Sequence, residues 1–202
     1  MRHSWLRHSW LHHSWLTVLV GGILLASLPG CASISASTSD NTAVQEHGSR
    51  TMGSFIEDAN IERKASNKLA TASGALAASH LVVVSFNGNV LLAGQVSNQS
   101  LSTQAENIVR SVEHVRHVYN ALEISGNSSA LARTNDAWLT AKVKSRLLVD
   151  GNTPASRTKV VTEDGVVYLM GLLTHKEASE VVAQVQQVGG VQKIVKVIQY
   201  ID

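Results

Sequence analysis

At 202 residues, with 44% hydrophobic and 4% aromatic content and a formal net charge of +2, the chain has room for one or two small globular domains. Its single cysteine, Cys31, excludes a disulfide framework, a CxxC redox motif and a cysteine zinc site. Beyond residues 1–30, 15 Lys/Arg stand against 15 Asp/Glu and no nucleic-acid module is recognisable, so nucleic acid is excluded as a partner.

Residues 1–30 contain no acidic residue; they carry Arg2 and Arg7 and then an apolar run from Leu16 to Leu28. A run of that length is short of the roughly 20 residues a membrane-spanning helix needs, and the pattern predicts an export signal peptide. Within it, Arg2-His3-Ser4-Trp5-Leu6 recurs as Arg7-His8-Ser9-Trp10-Leu11 and as His12-His13-Ser14-Trp15-Leu16. A His-rich metal site is one reading of this repeat; duplication within a disposable leader is the favoured one. Leu28-Pro29-Gly30-Cys31 resembles the lipobox of bacterial lipoproteins, apart from the proline, and implies that Cys31 becomes an acylated first residue. Residues 31–53 are rich in Ser, Thr, Asn and Gly and read as a lipidated cysteine with a flexible tether. Neither Ala32 nor Ser33 is the aspartate that marks inner-membrane retention in such lipoproteins, which implies the outer membrane.

Folded sequence begins near Ser54. Ser54-Phe55-Ile56-Glu57 fits a capping box, and Ile61, Ala65 and Leu69, at i, i+4 and i+8, predict one buried helical stripe. From Val83 to Gly94 two β-branched runs flank Asn87-Gly88, the pair that a two-residue type I′ hairpin requires. Ile108, Val109, Val112 and Val115 recur at helical spacing, and Val118–Ile124 reads as a strand. A short polar linker, 126–132, follows.

The same order then repeats. Leu139, Val143 and Leu147 form the stripe, with Asn135 or Asp136 expected to cap that helix. Val160 to Gly171 form the hairpin around Asp164-Gly165, and Val181, Val182, Val185 and Val188 the second helix before a strand at Ile194–Tyr200. The two hairpins align without a gap, with Gly88 and Gly165 separated by 77 positions. Two tandem α-β-β-α-β copies, 54–125 and 133–202, are therefore expected. Each is of α+β class, a three-stranded mixed sheet, last two strands parallel, packed on two helices.

This order, the turn glycines Gly88 and Gly165, the strand-terminal glycines Gly94 and Gly171, and the run from Asn135 to Leu148 resemble tandem BON domains. Behind a lipobox, the pair is similar to the dual BON-domain lipoproteins of the Gram-negative outer membrane. The resemblance implies a non-enzymatic periplasmic lipoprotein that binds anionic phospholipid, phosphatidylglycerol being the expected kind, and supports envelope integrity and cell division. It places the lipid contacts on the first helix of the second domain, residues 138–149. On that helix the candidate lipid-binding residues are Trp138, Lys142, Lys144, Arg146, Leu148 and Val149, beside Cys31 as the lipidation site.

The residues agree with that placement. Where the first copy has Asn60, Ala70 and Thr71, the second has Trp138, Leu148 and Val149, so apolar surface is added outside the buried stripe. An amphipathic tryptophan with three cations on one helix suits a headgroup boundary. Packing of Trp138 beneath the neighbouring domain or the helix edge is the competing structural reading. Residues 133–202 hold nine Lys/Arg against seven acids, whereas 56–125 hold five against six. No nucleophile elbow, HExxH helix or phosphate loop is present, and neither a catalytic residue nor a cofactor or metal is expected. His114 and His117 read as a solvated connection and His175 as a helix opening. The alternative function is an adaptor for an outer-membrane or cell-wall protein, including regulation of a cell-wall hydrolase, with Trp138 as the anchor.

Overall fold

The computed structural model describes residues 50–202; the leader, Cys31 and most of the expected tether lie outside the described residues. The first copy comprises α1 (Met52–Ala72), a single turn α2 (Gly74–Ala77), β1 (His80–Phe86), β2 (Asn89–Val96), α3 (Gln99–Arg110) and β3 (His117–Ile124). The second comprises α4 (Ala130–Asp150), a 3₁₀ turn (Ala155–Arg157), β4 (Thr158–Glu163), β5 (Val166–Leu173), α5 (His175–Gln186) and β6 (Lys193–Tyr200). Each sheet is mixed, ordered β1-β2-β3 or β4-β5-β6, with an antiparallel first pair and a parallel second pair.

The helical stripes are buried as their spacing requires. Ile61, Ala65 and Leu69 pack with Val90, Leu92, Ala105 and Val109; Leu139, Val143 and Leu147 pack with Val167, Leu169, Val181 and Val185. Helix starts differ from expectation. Thr51, not Ser54, caps α1, its hydroxyl accepting from Ser54 N–H at 3.2 Å, and the Glu57 carboxylate faces His114 instead. Ser129 caps α4 by accepting from Ala132 N–H at 3.1 Å, so this helix starts inside the expected linker, two turns before Asp136.

Asp136 has a different role. Both hairpin turns are left-handed at Asn87 (φ 51°) and Gly88 (φ 74°), and at Asp164 (φ 47°) and Gly165 (φ 74°). Their peptide N–H groups point away from the ladder and need acceptors. Asp58, on α1, supplies them: its carboxylate accepts from Asn87 N–H at 2.8 Å, Gly88 N–H at 2.9 Å and Ser85 Oγ–H at 2.6 Å. Asp136 repeats the device on α4, accepting from Asp164 N–H and Gly165 N–H, each at 2.9 Å. A buried carboxylate thus ties each first helix to its own hairpin.

The outer faces of the two sheets pack against each other. Phe86, Leu91 and Ala93 of the first copy form a third core with Tyr168 and Met170 of the second, flanked by Val82, Val84, Val195 and Val197. The order across residues 50–202 is therefore helices, sheet, sheet, helices, a two-copy sandwich. Polar pairs rim this core. Buried Glu163 accepts from Gln95 Nε2 at 3.1 Å and faces His80 Nε2 at 3.2 Å; Lys159 Nζ donates to Glu62 at 2.8 Å and to the Ser85 carbonyl at 3.2 Å. Burial between the sheets, with Glu123, Tyr119 and Glu163 nearby, pushes the Tyr168 phenol up to about 12. The linker is pinned as well: Asn127 accepts from His80 N–H at 3.1 Å and donates to the Ala78 carbonyl at 2.7 Å.

Candidate membrane-contact site

The outer face of α4 carries the candidate residues. Core contacts fix its rotation, because Leu139, Val143 and Leu147 must point at the sheet. At about 100° per residue, Trp138 then points well away from the centre of the buried stripe. Trp138 is 63% exposed, Leu148 71% and Val149 83%, so packing beneath the neighbouring domain is ruled out for this ring. Leu131, which sequence reasoning missed, is 72% exposed and belongs with them. Leu131, Trp138 and Val149 fall within about 20° of one another around the helix, an apolar line roughly 27 Å long. The early start of α4 at Ser129 puts Leu131 on it, and the signal was the serine ahead of Ala130-Leu131.

The cations divide between the two flanks. Lys142 places its ammonium 4.3 Å from the Trp138 ring centroid while donating to the Gly189 carbonyl at 2.7 Å, which holds a charge beside the ring. Arg146 turns toward α5, donating from Nε to Gln184 Oε1 at 2.8 Å and from its terminal nitrogen to Gln187. Lys144 is exposed on the opposite flank, near Leu148. Of the six candidate residues, the structure therefore brings Trp138, Val149 and Lys142 to one line, sets Lys144 and Leu148 on one side of it, and commits Arg146 to the α4–α5 seam. Among the described residues, none of these three cations pairs with a carboxylate, so their charge is available to an external anion.

The matching face of α1 is different. Its exposed apolar residues, Met52, Phe55 and Ile56, are confined to the first turn, and Asn60, Arg63, Ala70 and Thr71 follow. The Arg50 guanidinium lies 5.6 Å from the Phe55 ring and 4.0 Å from the Phe86 ring. His114 is exposed with φ 67° and sits 2.9 Å from Glu57; His117 opens β3; His175 opens α5, paired with Asp202 at 2.8 Å and stacked on Tyr200. Among the described residues, no cluster of three or more His, Cys, Asp or Glu side chains is arranged to hold a metal ion, and no helix is long and apolar enough to cross a membrane.

A family model for the BON domain matches residues 57–126 and again residues 135–202. The chain belongs to the BON-domain family. Its two BON domains are similar, with the preceding segment, to Outer membrane lipoprotein DolP of Haemophilus influenzae, at 34% identity over 187 residues, 93% of this chain and 96% of that protein. They are also similar to the 21 kDa hemolysin of Actinobacillus pleuropneumoniae, 31% identical over 153 residues, 76% of this chain and 79% of that one. Osmotically-inducible protein Y of Escherichia coli is 28% identical over 74% of this chain and 76% of its own length. The fold and the tandem BON arrangement are thereby shown for this chain.

Proposed function

We propose that the chain is a non-enzymatic lipoprotein of the periplasmic face of the outer membrane, anchored through acylated Cys31, whose second BON domain binds anionic phospholipid through α4 and so supports membrane integrity and cell division. The observation that carries this reading is the exposed line of Leu131, Trp138 and Val149 beside carboxylate-free cations. Similarity across nearly the whole chain to an outer membrane lipoprotein supports the location. A solvent-exposed tryptophan and two aliphatic side chains gain free energy by entering the acyl boundary, and each Lys or Arg near an anionic surface contributes about 1 kcal/mol. That affinity is modest alone. Added to acyl chains on Cys31 it makes a two-point attachment, in which the anchor raises the effective concentration of α4 at the surface.

Flotation of the unlipidated chain, residues 32–202, with phosphatidylglycerol-containing vesicles tests the site. Trp138→Glu should reduce the floated fraction by at least fivefold while leaving the melting temperature unchanged, since the residue is 63% exposed and outside the buried cores. Equal flotation of a folded variant removes Trp138 from the site. A chain that ignores vesicles but retains an envelope protein through Trp138 would favour the adaptor reading.

A further inference from the structure

A second feature lies away from α4, at the open edge of the sheet-on-sheet packing. β3 and β6 are each the last strand of their sheet, paired on one side only. Where the start of β3 meets the end of β6 they border a crevice of about 670 Å³. Its apolar lining comes from half-buried Val118 of β3 and half-buried Val197 and Ile198 of β6, with Tyr119, 42% exposed, among them. Asn89 and Gln199 close one end through an amide contact of 3.2 Å.

Charge around the crevice has one sign. Arg116 and Lys196 line it, and no carboxylate does. The Arg116 guanidinium and the Lys196 ammonium make no ion pair or side-chain hydrogen bond among the described residues. The backbone is equally asymmetric. Farther along β3 the Asn120 side chain accepts from Leu122 N–H at 3.1 Å, which blocks that part of the free edge. Among the described residues, no side chain hydrogen-bonds to the backbone at 117–119, the stretch that borders the crevice. An unguarded edge next to apolar pockets and unpaired cations has the properties of a strand-addition site.

We propose that this crevice binds an extended, acidic peptide segment of a partner protein, which adds to the β3 edge at residues 117–119. Main-chain hydrogen bonds supply register-independent affinity. Alternate side chains then meet Tyr119 and the valine walls, or Arg116 and Lys196, so that an apolar–acidic alternation is selected. The site is separate from α4 and stands whether or not α4 binds lipid.

The test is a titration of ¹⁵N-labelled chain, residues 32–202, whose described part contains all three cores. The probes are a capped seven-residue peptide of alternating valine and glutamate and its valine–lysine counterpart. The glutamate peptide should shift the amide resonances of 89–90, 116–119 and 196–199 saturably, leave those of α4 in place, and bind at least tenfold more tightly than the lysine peptide. Arg116→Glu with Lys196→Glu should weaken it at least tenfold. Because Arg116 packs over Gly88, Lys196→Glu alone serves as the second variant, with a smaller loss at unchanged melting temperature. Absence of saturable shifts, equal binding of the lysine peptide, shifts centred elsewhere, or wild-type binding by a folded variant would each overturn the proposal.

Discussion

At the scale of single residues, the two aspartates on the first helices do more than their positions suggest. Asp58 is buried, and burial alone would raise its pKa. The N–H groups of Gly88 and Asn87, the Ser85 hydroxyl and Arg50 outweigh that penalty and hold the carboxyl below its ordinary value of 3.8. A folded-state pKa that is depressed means that the stabilisation is complete above 3.8 and is lost as pH falls through the folded value. Asp58→Asn should destabilise the chain by about 2–3 kcal/mol at pH 7, since an amide cannot accept from every donor and leaves a turn N–H unsatisfied. In urea denaturation the difference from the wild type should shrink steadily below pH 3.8; a difference that is constant with pH would show that the ionised carboxylate is not what holds the turn. The sequence offers Asn135 or Asp136 as the cap of α4, because Asn and Asp are favoured at helix starts. The signal against it was present in the repeat, because Asp58 and Asp136 stand three residues before Ile61 and Leu139, one turn up the buried side.

Elements were the most legible level. The Asn-Gly and Asp-Gly turns located both hairpins, since few other pairs tolerate two left-handed residues in succession. The i, i+4, i+8 stripes located α1 and α4 because each must bury one side. What the strands hide is how closely they run. Gly94, in β2, has φ 112°, and a Cβ there would fall well inside van der Waals contact with the His80 carbonyl oxygen on β1. Gly94→Ala should therefore cost more than 3 kcal/mol or prevent folding, through strain at a positive φ combined with a backbone clash. A melting temperature within 2 °C of the wild type would mean that β1 and β2 can separate without penalty. Helix ends were read less well, because Ser54 and Asn135 looked like caps in isolation while Thr51 and Ser129 sit one and two turns earlier. The cost was Leu131, one of the apolar residues on the α4 line.

At the scale of the whole molecule, the unread feature is the union of the two BON domains. Two-layer packing on helices accounts for only one face of each sheet. Yet Val90-Leu91-Leu92-Ala93 and Val167-Tyr168-Leu169-Met170 are continuous apolar runs, the pattern of strands buried on both faces. That pattern called for a cover on the outer side, and each sheet covers the other. Met170, fully buried between the sheets, is the direct probe. Met170→Glu would place an unpaired charge in the third core, and calorimetry should change from one cooperative transition to two as the domains melt separately. A single transition at the wild-type temperature would contradict a shared core.

Contact between α4 and lipid is reported directly by Trp138. The other tryptophans, Trp5, Trp10 and Trp15, all fall within the expected leader, so residues 32–202 contain one indole. Its emission should shift to the blue on addition of phosphatidylglycerol vesicles, and stay in place with purely zwitterionic vesicles of the same size. An unchanged spectrum with anionic vesicles, for a chain shown to be folded, would contradict lipid contact by this helix and leave Cys31 as the proposed membrane attachment.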